Sequence, residues 1–180
     1  MSSKYTKIGI GLLLGPVTSI NAYAEIYMSD QQAVTSIFPG AIGAAMEKSK
    51  IELSSEEADK VAKNSGETVR SKSLTVWKDK DKNVVFIDQV LGKHEFITFA
   101  VGIDHEGAVK GVHVLEYRET YGSQVRKDDW RGQFNGKTKA DPLKLDKDIK
   151  NISGATLSSS HVTGGVRRLL NTYDIVKARL

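Results

Sequence analysis

The stretch Ser153-Gly154-Ala155-Thr156-Leu157-Ser158-Ser159 sets small residues and hydroxyls directly in front of a segment with helical periodicity. Downstream, Val162, Val166, Leu169 and Leu170 recur at the spacing of one helix face, and Arg167 and Arg168 fall toward its polar side. The spacing predicts a helix from about Ser158 to Thr172, with a serine as N-cap and a further turn over Ile175 to Ala178. The first amides of any helix lack intrahelical partners and its dipole is positive at that end, so an anion bound there is stabilised twice over. Gly154 and Ala155 let backbone approach such an anion, and the hydroxyls of Ser153, Thr156 and Ser158 can hydrogen-bond it. On chemistry alone this is a candidate phosphate site. Most hydroxyl-rich helix starts are only caps.

The elements that position this turn read as follows. Ser29 and Asp30 cap a short helix through Ala33, Val34, Ile37 and Phe38, stopped by Pro39-Gly40. A second helix runs from Ser54 to Ala62, where Ser54 and Glu57 have capping-box spacing and Asn64-Ser65-Gly66 supplies the stop. From Leu74 the period changes. Leu74 to Trp77, Val84 to Ile87, Phe96 to Val101 and Val109 to Tyr117 read as four strands joined by short turns, hence antiparallel hairpins. In the last strand Val112, Val114 and, less cleanly, Glu116 alternate with His113, Leu115 and Tyr117, and the strand delivers Glu119 and Thr120 at its exit. The polar stretch from Tyr121 to Ile152 is long for a loop and is expected to hold short turns, one of them over Asp128 to Phe134. Gly164 and Gly165 inside the last helix are most simply explained by close packing on the sheet. The fold class is therefore α+β, an antiparallel sheet packed with helices.

Three segments of the chain together resemble a known family. Ser153-Gly154-Ala155-Thr156 resembles the flavinylation motif of the FMN-binding domain found in the C subunit of the sodium-translocating NADH:quinone reductase and the G subunit of the Rnf electron transport complex. Val114-Leu115-Glu116-Tyr117-Arg118-Glu119-Thr120 resembles that family's strand ending in Glu-Thr, and Gln133-Phe134-Asn135-Gly136-Lys137 resembles its Gln-Phe-x-Gly-Lys turn. Order and spacing agree over roughly residues 85 to 172. The resemblance implies FMN as cofactor, joined by a phosphoester to Thr156 by a flavin transferase. It places Ser153, Gly154, Ala155, Leu157 and Ser158 around the phosphate and ribityl chain, with Glu119 and Thr120 near the flavin. Tyr117, Tyr121 and Trp130 are candidate ring-stacking residues, and Lys137 either faces the phosphate or sits in a turn. Two positions depart from the family pattern. Lys150 stands where an aspartate is usual three residues before the serine, with Asp148 two residues earlier, and Tyr121 follows Glu-Thr in place of proline.

Composition narrows the role. Lys4 and Lys7 precede an uncharged, mostly apolar stretch from Ile8 to Ile20 that ends at Ala22-Tyr23-Ala24, the order of a secretory signal cleaved after Ala24. The expected division is a signal peptide over 1–24, a helical segment over 25–72 and an FMN-binding domain over 73–180. Location would be periplasmic or at the outer face of the cytoplasmic membrane. Without residues 1–24 the chain has 24 basic against 22 acidic residues, in alternating runs such as Lys78-Asp79-Lys80-Asp81-Lys82, and no nucleic-acid partner is expected. There is no cysteine, which excludes thiolate-held iron–sulfur clusters, thiolate zinc and c-type haem. His94, His105, His113 and His161 show no helical metal spacing, and no nucleophile–base pair is evident, so no metal site and no catalytic residue are expected. The reading is an exported flavoprotein moving electrons between membrane or periplasmic redox proteins rather than an independent enzyme. Two alternatives stand beside it: a noncovalent FMN-binding module, and an exported assembly or interaction protein that has lost the flavin.

Overall fold

The computed structural model describes residues 25–180, and the signal-peptide reading of residues 1–24 lies outside them. Six antiparallel strands form one sheet in the order β1-β6-β5-β4-β3-β2. They are β1 (Glu25–Ile26), β2 (Glu47–Glu52), β3 (Ser73–Lys78), β4 (Val84–Leu91), β5 (Phe96–Ile103) and β6 (Val109–Tyr117). The last four are the strands expected from sequence. β1 and β2 fall in the segment read only as helical, and β2 is the outer edge, a Glu-Lys-Ser-Lys-Ile-Glu strand whose charges suit an unpaired edge.

Helices cover both faces. On one face α1 (Asp30–Ile37) lies against β5 and β6, where Ala33, Val34, Ile37 and Phe38 pack with Val85, Ala100 and Leu115, and the single turn α2 (Ala41–Ala44) packs on α1. On the other face α3 (Ser55–Ser65) and α5 (Thr156–Val176) pack together over Val76, Phe86, Phe99 and Val101. Both short helices carry complete capping boxes, Ser29 with Gln32 and Ser54 with Glu57, and α3 ends on the left-handed Gly66. Between β6 and α5 the long polar stretch contains a 3-10 turn over Ser123–Arg126, α4 (Asp128–Arg131) and another 3-10 turn over Gly132–Phe134. Trp130 and Phe134 meet edge to face at 5.2 Å within the core, so Trp130 is a packing residue.

Three expectations are corrected. The last helix begins at Thr156, two residues before Ser158, and its N-cap is Ala155 with no side-chain cap; it continues unbroken to Val176. Arg168 is not on a polar face: it is 7 % exposed and pairs with Asp88 of β4 at 2.6 Å. The alternation of β6 is broken by two register shifts against β5, between Thr98 and Phe99 and between Gly102 and Ile103. Each adds one residue to β6, so Val109, Val112, Val114 and Tyr117 all face α5 while Leu115 faces α1.

The close-packing reading of Gly165 holds. A Cβ there would lie 2.6 Å from Phe99 Cζ and 2.9 Å from Val90 Cγ1, while at Gly164 it would meet the Glu67 carboxylate. Gly165→Ala is expected to gain about 1 kcal/mol of helix propensity and lose more to overpacking, for a net destabilisation of about 1–2 kcal/mol in urea unfolding. Unchanged stability would show that the helix can lift off the sheet without penalty.

Candidate functional site

The first turn of α5 and the exit of β6 form two walls of one cleft, and the β4–β5 turn forms a third. The β4–β5 turn contributes Lys93 and His94, the β6 exit Glu119, Thr120 and Tyr121, and the helix start Gly154, Ala155, Thr156, Leu157 and Ser158. The cleft holds about 470 Å³, within the roughly 300 to 1,000 Å³ of sites that take small-molecule cofactors.

Of the eight residues proposed from sequence, seven meet here. Ser153 does not: it lines a neighbouring cleft with Trp130, Gln133 and Lys150, on the other side of the Ser153–Ala155 turn. Gln133 and Trp130 set that turn from below, since the Lys150 amide donates to Gln133 Oε1 at 2.8 Å and Trp130 Nε1 donates to the Lys150 carbonyl at 2.8 Å. Gly154 then turns the chain with a φ of 80°, and α5 starts two residues later. Thr156 and Leu157 are exposed at its first turn, and no side chain caps the amides there. An anion is the natural partner of such a helix start.

The other two walls are tied to one another by Glu119. Its Oε1 accepts the amides of His94 at 2.6 Å and Glu95 at 3.1 Å, which fixes the β4–β5 turn against the β6 exit. Partial burial works against ionisation, but the amides of His94, Glu95 and Lys93 outweigh it and hold the carboxyl below its ordinary value. The cleft therefore keeps a carboxylate on one wall and an uncapped helix N-terminus on the other. Nothing in the sequence singles out Lys93 and His94, because a turn between strands carries no local sign that it faces Glu119, 24 or more residues away.

Tyr117 is buried beneath the cleft at 3 % exposure and so does not stack on anything in it, whereas Tyr121 stands at the rim, 82 % exposed. Lys137 belongs to a turn elsewhere, held by Asp148 at 3.1 Å and Asp141 at 3.4 Å. Asp148 is fully engaged as well, accepting the amides of Leu143 and Lys144. Among the described residues no group of three or more His, Asp or Glu is placed to hold a metal, and no helix is long and apolar enough to cross a membrane.

Residues 92–171, which carry all three walls and the helix start, match the family described as the FMN-binding domain. This stretch of the chain is similar to an FMN-binding domain. FMN is its cofactor. The domain is 37 % identical over 79 residues to the G subunit of the proton-translocating ferredoxin:NAD(+) oxidoreductase complex of Clostridium ljungdahlii. That match covers 39 % of this chain and 42 % of the relative, so the chain matches less than half of the relative's length. The fold is similar to that of the C subunit of the Na(+)-translocating NADH-quinone reductase from Parabacteroides distasonis, with a TM-score of 0.51 and 14 % identity over 77 % of this chain and 81 % of that one.

On the opposite face of the sheet from α5, a second, smaller cleft surrounds His113. Arg131 Nη1 donates to His113 Nδ1 at 2.5 Å, so the ring proton sits on Nε2 and is donated to Ser36 Oγ at 3.1 Å. Burial and the Arg131 guanidinium push the imidazole down to about 4, against a smaller opposing pull from Asp128. A depressed histidine contributes stability that is complete above its unfolded value near 6.5 and is lost as pH falls toward 4. After allowance for solvent at this half-buried ring, the expected loss between pH 7 and pH 4.5 is about 1–2 kcal/mol. Thermal melts of wild type and His113→Gln check it: the two curves should converge as pH falls.

Proposed function

We propose that this chain is an exported flavoprotein that carries FMN on Thr156 by a phosphoester and passes electrons between membrane or periplasmic redox proteins. One observation carries the reading. The exposed Thr156 is the first residue of a 21-residue helix whose start has no side-chain cap, inside a cleft of cofactor size. In this reading the flavin phosphate sits against the amides of Thr156, Leu157 and Ser158. Gly154 and Ala155 admit the ribityl chain, and Leu157 and Tyr121 flank the ring. Ser153 lies on the far side of the turn, in the neighbouring cleft, and does not touch the cofactor in this reading.

FMN, when bound, supplies one- and two-electron chemistry. The chain supplies position and electrostatics. The carboxylate of Glu119, kept ionised by three amides, disfavours added negative charge nearby, while the helix start favours it at the phosphate. Attachment forms a bond between Thr156 Oγ and the flavin phosphorus. The pyrophosphate bond of a flavin dinucleotide breaks, a nucleoside monophosphate leaves, and the hydroxyl proton passes to a base of the transferase. Electron-transfer partners follow from the redox complexes to which the two similar proteins belong by name. Residues 1–24 serve as the export signal, and residues 25–72, with α1 to α3 and the two edge strands, complete the sheet ahead of the domain at 73–180.

A noncovalent FMN site is the second reading, favoured by Lys150 in place of the usual aspartate and by Asp148 being tied to Lys137, Leu143 and Lys144. Intact mass of the protein isolated from its native envelope separates the two. An FMN adduct is expected; an unmodified mass with flavin released by denaturant leaves the noncovalent site, and no flavin at all removes both.

A further inference from the structure

Beneath the cleft lies a chain of hydroxyls that no cofactor contact explains. Tyr117 Oη donates to the Tyr121 carbonyl at 2.5 Å and is 2.9 Å from Ser158 Oγ. Tyrosine has one hydroxyl proton and here it goes to a carbonyl, so Ser158 is the donor to Tyr117. Burial pushes the Tyr117 phenol up, against a smaller downward effect of the Ser158 hydrogen bond, so the group keeps its proton at neutral pH. Ser158 is itself 4 % exposed, and its hydroxyl proton goes to Tyr117, which is not one of the residues lining the cleft.

The surroundings are built around this pair. The bulge between Thr98 and Phe99 is what turns Tyr117 toward α5. Gly122, at a φ of 94°, leaves the space: a Cβ there would lie 2.5 Å from Tyr117 Oη, 2.9 Å from Ser158 Oγ and 3.4 Å from Ala155 Cβ. One phenol thus fastens the third residue of the helix, two beyond Thr156, to the backbone of the rim residue Tyr121.

We propose that Tyr117 is a positioning residue of the flavin site, acting through Ser158 and Tyr121 to hold the helix start and the rim at a fixed separation. The proposal rests on the reading that the cleft holds FMN. Ser158 then serves the phosphate through its amide, its hydroxyl proton being committed to Tyr117. Without the latch, the first turn of α5 and the Tyr121–Gly122 turn are free to separate, and misplacement by about 1 Å is worth up to roughly a hundredfold in rate.

The test uses the full chain as wild type, Tyr117→Phe, Ser158→Ala, Ser158→Thr and the Tyr117→Phe/Ser158→Ala double variant. Each is incubated with the flavin transferase and flavin dinucleotide and sampled by intact mass, with the absorption spectrum of the attached flavin recorded. Both hydroxyl-removing single variants are expected to attach flavin roughly tenfold or more slowly and with a shifted spectrum. The double variant should be no worse than either, and Ser158→Thr, which keeps a hydroxyl, should approach wild type. Lower melting temperatures with wild-type attachment rate and spectrum overturn the proposal. If Tyr117→Phe fails to fold, equal rates for Ser158→Ala and Ser158→Thr overturn it. A wild-type chain that takes no flavin removes the flavin reading and the latch with it, whereas a loaded wild type and an equally loaded Tyr117→Phe remove the latch alone.

Discussion

Thr156→Ala is expected to abolish covalent flavin while leaving the fold intact. The side chain is exposed at the first residue of α5 and makes no cap, so its loss costs little stability. Three neighbouring serines are not placed to substitute. Ser158 is buried with its proton committed to Tyr117, Ser159 is buried and bonded to the Ala155 carbonyl and Asn151, and Ser153 opens into the other cleft. Thr120 is exposed on the cleft wall but lies at the β6 exit, away from the helix amides that would hold the phosphate. In-gel fluorescence after denaturation, with intact mass, measures the outcome: the retained flavin signal of wild type should fall to background. A fluorescent Thr156→Ala band would move the attachment point elsewhere, and Thr120 would be the first position to examine.

Asp88→Ala should be strongly destabilising. Asp88 lies on the α5 face of β4, between the core residues Phe86 and Val90, and its carboxylate accepts from Arg168 at 2.6 Å. The two side chains are 13 % and 9 % exposed. Arg168 also donates to the carbonyls of Thr68 and Gln89, so the guanidinium stays in place when its counter-charge is removed. An uncompensated charge of this kind costs about 3 kcal/mol or more, which for a chain of this size lowers the melting temperature by roughly 6 to 12 °C. Adding Arg168→Met to Asp88→Ala should recover part of the loss. A single variant that melts with wild type would mean that water reaches the guanidinium and the pair is not buried in solution.

How legible each part is depends on the range of the interaction behind it. Local chemistry is readable: Ser29 with Gln32 and Ser54 with Glu57 act within one turn, and both helices start where those residues stand. The four inner strands carry β-branched and aromatic runs and are readable for the same reason. β2 is not, because an edge strand protected by charge looks like a polar loop. The start of α5 is hard to place because hydroxyls suggest a cap, whereas Ser158 and Ser159 turn their side chains inward to Tyr117, Asn151 and the Ala155 carbonyl. Arg168 reads as polar-faced for want of its partner, although strand parity does put Asp88 on the core side of Phe86 and Val90, a buried acid that calls for a cation. In the candidate site, the helix start and the β6 exit carry recognisable residues. Lys93 and His94 come in on a turn that Glu119 ties to the β6 exit, a contact between residues far apart in the chain.

The two bulges give β6 two residues more than its partner needs, and this bears on how relatives should be aligned. Leu115 and Lys110 are the unpaired positions opposite β5, so a relative with a regular strand would show one-residue gaps there. With both residues skipped, Val109, Val112, Val114 and Tyr117 fall into strict two-residue alternation, and the hydroxyl beneath the cleft becomes one more core-facing place in a simple series. An alignment that slides the gap past Tyr117 would instead pair its ring with the outward positions of other chains. Any count of which residue types occur at that place would then describe the wrong side of the sheet.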